Sequence, residues 1–296
     1  MLTMTNKTIL SIRLKFMSVF KNNNLVLTLM LFLAGIIFFA TSCKKNSNTM
    51  VDYSFGVELS SDYASAQHLS VSLANTYFKC IYDTALMNTG HATIDGANIQ
   101  YSVDSLFQLK IIYPPWGNDD GYGNWRQGEI HIRADGGFFN ENEDVKFNFE
   151  SFNFSKDTIV AHDYSIKYLG NTNFQMLSDS VCRIMEDTTG IIVFYSQQQF
   201  NVGLDDSQTM PEQLNISGLL QGKSRGGYRF ETTTKEDIFS DLTCNWMKQG
   251  EVEILYEGVD YSGTMFFSDT TVCDNWYNLV IDGVDFPSKI QKPKWQ

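Results

Sequence analysis

The residues of this chain best suited to do chemistry are a serine between glycines, an acidic loop, four histidines and five cysteines. Gly222-Lys223-Ser224-Arg225-Gly226 has the spacing of a hydrolase nucleophile elbow, a device that projects its serine only from a strand-to-helix turn. Here a turn-like Gly218 to Gly222 precedes it and a strand-like Gly227 to Thr232 follows, so a hairpin turn is expected. The Gly-Lys-Ser is not a phosphate-binding loop either, because Ser217 stands where its first glycine must be. Asn118 to Glu129 imitates a calcium loop, with Asn118, Asp120 and Glu129 at the first, third and twelfth positions. Tyr122 falls on the fifth position and supplies no carboxylate or amide, which leaves calcium a secondary reading beside a solvated turn. His68, His91, His131 and His162 show no paired spacing, so nothing in their placement points to zinc or to a histidine-activated nucleophile. His162 alternates with Val160 and Tyr164 and is expected in the core. A glycosidase-like carboxylate pair could lie anywhere among 34 Asp and Glu.

Cys43 has a different chemistry. Residues 1–24 carry Lys7, Arg13, Lys15 and Lys21 without an acidic residue and lead into the apolar run Leu25 to Phe39. Those are the charged and apolar regions of a signal peptide. The run is short for a membrane span of about 20 residues, and it ends in Ala40-Thr41-Ser42 directly before Cys43. Cleavage before Cys43 and a thioether from its sulfur to diacylglycerol are therefore expected. Met17 opens a more ordinary signal than Met1, and either start leaves the mature chain unchanged. The expected organisation is a signal peptide over 1–42, the lipidated cysteine and a polar tether over 43–52, a helix plus first β half over 53–200, and a second β half over 201–296.

With the four early basic residues removed from 22, the mature chain has 18 Lys and Arg against 34 Asp and Glu, a net charge of −16. That balance argues against nucleic acid as a partner, because phosphate binding needs a basic face. Four cysteines remain for an oxidising compartment, Cys80, Cys182, Cys244 and Cys273. Cys244 and Cys273 lie in the second half, each beside an Asn-Trp or Asp-Asn-Trp turn, and the chain between them can return as strands Gly250 to Tyr256 and Gly263 to Phe267. A disulfide between them is expected, and Cys80 with Cys182 is the weaker second pair.

Ser60 to Met87 has helical spacing, with Leu69, Leu73, Tyr77 and Ile81 four residues apart and Asp62 as N-cap. Everything later reads as strands and turns. Val145, Phe147 and Phe149 alternate with polar residues, then the phase shifts to Phe152 and Phe154, which predicts a β-bulge. Ser155-Lys156-Asp157-Thr158 turns the chain into a strand carrying Val160, His162, Tyr164, Ile166 and Tyr168. Asn124-Trp125-Arg126-Gln127-Gly128-Glu129-Ile130 is echoed by Asn245-Trp246-Met247-Lys248-Gln249-Gly250-Glu251-Val252, a weak internal repeat with one inserted residue. The fold class is mainly β: an antiparallel meander or sandwich-like body with one N-terminal helix.

The lipobox-like end of the leader, Gly121 to Ile132, Phe149 to Val160, Cys244-Asn245-Trp246 and Cys273-Asp274-Asn275 with Asp282-Gly283 together resemble a widespread group of uncharacterised Bacteroidota lipoproteins. The resemblance covers most of the mature chain and departs from the pattern at Pro114-Pro115-Trp116. It implies an envelope location and a β-rich fold, and it carries no catalytic residues. Lys44-Lys45 after Cys43 differ from the acidic surface-export signals of such lipoproteins, so an outer-membrane anchor with a periplasm-facing body is expected. Six Asp-Ser or Asp-Thr triplets resemble the O-glycosylation sequon of exported Bacteroidota proteins, at Thr84, Ser105, Thr158, Ser180, Thr188 and Thr270. The same pairs also open turns. The expected role is a non-catalytic binding or structural scaffold with a glycan or envelope protein as partner; the alternative is a glycan hydrolase using paired carboxylates.

Overall fold

The computed structural model describes residues 51–290 apart from 122, 187–189, 205–210 and 268–272. The predicted leader, Cys43, Thr188 and Thr270 lie outside the described residues. Helix α1 (Ser54–Tyr82) is followed by the short α2 (Thr84–Thr89). The strands then follow in order: β1 (His91–Ile94), β2 (Ala97–Val103), β3 (Phe107–Asp119), β4 (Trp125–Ala134), β5 (Asp144–Phe154), β6 (Asp157–His162), β7 (Ser165–Gly170) and β8 (Asn173–Ile184). They continue with β9 (Ile191–Leu204), β10 (Pro211–Lys223), β11 (Arg229–Asp241), β12 (Cys244–Tyr256), β13 (Ser262–Phe267), β14 (Trp276–Ile281) and β15 (Val284–Lys289).

All fifteen strands belong to one antiparallel sheet in chain order, the expected meander. Residue 200 lies inside β9, so the sheet passes through the expected boundary between halves without a break. Strands β6 and β7 share one lane between β5 and β8. The lane is broken at Asp163, which has φ +49°, where a single strand from Val160 to Tyr168 was expected. The break changes the parity of the side chains: Tyr164 and Ile166 point inward, while Val160 and His162 are exposed. His162 is therefore a surface residue and not the core histidine its alternation implied. The expected bulge is present, with Ser151 at φ +49° opposite Gly128, and Ser155 and Lys156 form the hairpin turn with φ of +51° and +71°.

The helix occupies the inner side of this sheet as a middle layer. It is buried without interruption from Asp62 to Phe78 and touches β1 and β15, the two end strands of the sheet, as well as strands between them. Small residues, Ala64, Ser65, Ala66, Ser70, Ser72 and Ala74, let the strands approach closely on every side. It starts at Ser54, so Asp62 is an interior residue rather than its N-cap. Arg225 explains why a carboxylate is tolerated there, with its Nε and its backbone N–H each 2.8 Å from Asp62. The helix ends at Asp83, whose side chain instead caps α2 by accepting from the Leu86 N–H at 2.9 Å, and α2 stops at left-handed Gly90.

The polar residues of α1 meet polar residues of the sheet, and Asp120 is their hub. One of its oxygens accepts from Asn124 Nδ2 at 2.9 Å, Arg126 at 2.8 Å and Asn245 Nδ2 at 3.0 Å. Arg126, 2% exposed, also donates to Ser72, Thr76 and Tyr113. Burial opposes its charge, but the Tyr113 and Asp120 oxygens outweigh that and hold its pKa above the ordinary arginine value. The weak internal repeat acquires a structural meaning here. Asn124 and Asn245 converge on the same carboxylate, and Gly128 and Gly250 take positive φ where a Cβ would strike the neighbouring strand's backbone.

Candidate functional site

The structure distributes the residues singled out from the sequence rather than gathering them. Ser224 lies in the turn between antiparallel β10 and β11, closed by its N–H to Tyr228 O and by Gly227 N–H to Ser224 O. Its hydroxyl is buried with no hydrogen-bond partner among the described residues, so no histidine activates it. Gly218 to Gly222, read as a turn, belongs to strand β10.

The calcium reading fails on orientation. Asn118 donates to Asp119 O at 2.8 Å, Asp120 is committed to Arg126 and two asparagines, and Glu129 pairs with Lys110 at 2.7 Å. Calcium needs six to eight oxygens facing one point. Asn118, Asp120 and Glu129 serve three different partners, and the loop is a structural turn held by Asp119, which accepts from the N–H groups of Gly121 and Gly123. Glu129, His131 and Glu150 approach one another on the outer face of β4 and β5. The two ring nitrogens of His131 face different carboxylates, Glu129 at 3.0 Å and Glu150 at 3.6 Å. Lys110 and then His131 hold the Glu129 carboxyl below the usual range. This is a surface charge network in which Lys110 occupies a cation's place.

Cys244 and Cys273 form the expected disulfide, with Cα atoms 5.7 Å apart. Cys80 and Cys182 are free thiols, which overturns the second pairing. Cys80 faces the inside from the last turn of α1, where burial raises its pKa. Cys182 alternates with inward Val181 and Arg183 and so faces outward, leaving the sheet between the two sulfurs. Of the candidate modification sites, Thr84, Ser105 and Thr158 are exposed and Ser180 is half-buried beside Cys182. Two of the paired aspartates already have structural work: Asp83 caps α2, and Asp157 binds Arg183 at 2.6 Å.

What the sequence did not single out is a groove on the outer face of β8 to β12. It consists of a hollow of about 600 Å³ bordered by Tyr195, Gln221, Lys223, Arg229, Glu231 and Leu255, and a second of about 350 Å³ bordered by Gln175, Gln197, Gln199 and Thr233. Both have a glycine of β10 among their walls. A Cβ on Gly222 would lie 2.4 Å from Val193 O, and one on Gly218, at φ +112°, would lie 2.5 Å from Gln197 O. Side chains are excluded where β10 lies closest to β9. Pairing of β10 with β11 is also interrupted between Ile216 and Gln221, where Thr232 Oγ1 spans the gap by donating to Leu220 O at 2.6 Å. The alternation of Val193, Tyr195, Gln197 and Gln199 on β9 carries the signal, which becomes legible only once the outward face is known. Val193 to Gln199 spans about 20 Å at strand rise.

The hairpin that ends the groove is tied to α1. Arg225 anchors its turn to the buried Asp62, and Tyr228 packs edge-on against Phe55 at 4.7 Å. Lys223 and Arg229 stand directly opposite each other at its base. Comparison with protein-family models, with curated proteins and with solved structures finds no match to this chain.

Proposed function

We propose that this is a lipid-anchored envelope protein, attached through Cys43 to the outer membrane with its body toward the periplasm, that binds a glycan non-catalytically along the outer groove. The basic leader, the apolar run and the small residues before Cys43 support the anchor, as does the resemblance to Bacteroidota lipoproteins. One observation carries the binding reading: the inner side of the sheet is filled by α1, and the outer side carries a long open groove of amides, hydroxyls and the Tyr195 ring. Amide groups offer a donor and an acceptor in one plane, and an aromatic face packs on the apolar side of a sugar ring. Hydrolysis is the second reading, because Asp179, Glu231 and Glu257 border the larger hollow. All three are exposed, whereas a general acid working near neutral pH needs an environment that disfavours its ionised form. Binding therefore fits the geometry better.

Calorimetric titration of the full chain with neutral and acidic oligosaccharides tests the reading. Binding weakened about ten-fold by Tyr195→Ala is expected from loss of the ring contact. Absence of binding to every oligosaccharide at millimolar concentration, or indifference to Tyr195→Ala, refutes it. The anchor is tested separately: the N-terminal peptide of the native protein should carry diacylglycerol on Cys43, and Cys43→Ser should release the body from membranes.

A further inference from the structure

We infer that the groove is selective for a glycan bearing spaced single anionic groups, and that Lys223 and Arg229 seat one carboxylate between them. The inference rests on the proposed glycan-binding reading and specifies the class of glycan. Lys223 and Arg229 face each other across β10 and β11 as direct register partners, both exposed, at the end of the larger hollow. Like charges directly opposite in a sheet are unfavourable. No acidic side chain among the described residues forms an ion pair with either, although the mature chain carries an excess of 16 acidic charges. The nearby acids are otherwise placed: Glu257 accepts from the Arg229 backbone N–H at 3.2 Å, and Glu231 stands opposite Gln221. Two cations kept together with neither drawn into an ion pair, on a hairpin tied to α1, form a ready site for an oxyanion, with the arginine fork and lysine ammonium able to donate to its oxygens.

The surroundings also limit what that anion can belong to. Asp179, Glu231 and Glu257 border the same hollow, so a densely charged polymer would bring further anions against carboxylates. The next hollow along the groove presents only glutamines, threonines, Gly218 and Leu219. An anion at one end and neutral hydroxyl-rich units beyond it is the pattern of a glycan in which uronic acids alternate with neutral sugars.

The test titrates the full chain with four probes: an octasaccharide alternating glucuronate with N-acetylglucosamine, a neutral N-acetylglucosamine oligomer, a fully sulfated oligosaccharide and an oligoglutamate peptide. The alternating octasaccharide should bind about ten-fold or more tighter than the neutral oligomer, as one charge-assisted contact predicts. Lys223→Gln with Arg229→Gln should abolish that preference, with an unchanged circular dichroism spectrum showing that the fold is kept. Equal binding of the acidic and neutral sugars overturns the inference and leaves glycan binding standing. Tightest binding of the sulfated probe refutes the spacing argument, and tightest binding of oligoglutamate refutes the glycan assignment. Failure of all sugars to bind overturns both readings.

Discussion

Acidification should destabilise this protein chiefly through His68, and the size of the effect follows from where α1 places the ring. His68 is stacked on Trp246, with ring centroids 4.0 Å apart, and its Nε2 lies 2.8 Å from Asn124 Oδ1. The amide of Asn124 is oriented by Asp120, a carboxylate that accepts from Asn124 Nδ2. Oδ1 therefore faces the imidazole and Nε2 must donate, which leaves Nδ1 as the unprotonated nitrogen. Nδ1 has no partner among the described residues, so a proton added there would find no acceptor. Burial lowers the pKa from 6.5 to about 4, outweighing the Asn124 hydrogen bond and the Asp120 charge, which act in the opposite direction. Because the folded pKa lies below the unfolded one, the unfolded chain takes up the proton first. Stability is full above pH 6.5, falls as pH drops from 6.5 to 4, and levels off below. That difference between folded and unfolded chains corresponds to about 3 kcal/mol, a large part of the stability of an ordinary domain. Urea unfolding of the wild type and His68→Gln at pH 7.5, 5.5 and 4 isolates this contribution, since all other titrations are common to both chains. The wild type should lose about 3 kcal/mol more than the variant between pH 7.5 and 4. Parallel losses, or an imidazole titrating above pH 6 by NMR, would refute the reasoning.

Three further outcomes are expected. Reducing Cys244–Cys273, which closes a loop of 29 residues, should lower unfolding free energy by about 3.5 kcal/mol, read as a shift in urea midpoint with and without reductant. Arg126→Met should cost about 3 to 5 kcal/mol, because it removes the guanidinium that faces the buried Asp120 carboxylate; adding Asp120→Asn should recover part of that loss. If the Asp-Ser and Asp-Thr triplets are O-glycosylated, Thr84, Ser105 and Thr158 should carry the sugar before Ser180, by their exposure. A native mass equal to the bare lipidated polypeptide would end that idea.

Local patterns were enough for the mainly antiparallel β class, the bulge between Phe149 and Phe152, the Ser155-Lys156 hairpin, the turn at Ser224 and the Cys244–Cys273 bond. Each depends on residues near one another in the chain, where period, turn chemistry and loop length act directly. Alternation along a strand says which residues share a face. It does not say which face is inside, and a single left-handed residue at Asp163 reverses the answer for His162. The same ambiguity hid the separation of Cys80 from Cys182 by the sheet, and the outward row from Val193 to Gln199. The α1 segment reads as an amphipathic helix from its leucine spacing, yet it is buried all round. Ser60, His68, Ser72, Asn75 and Thr76 find polar partners 50 to 196 residues away in the chain, such as Arg126, 50 residues from Thr76, and Tyr256, 196 residues from Ser60. Only tertiary structure could decide that pairing, and with it the pKa of His68 and the displacement of the candidate site to the outer face, because burial depends on partners that sequence spacing does not specify.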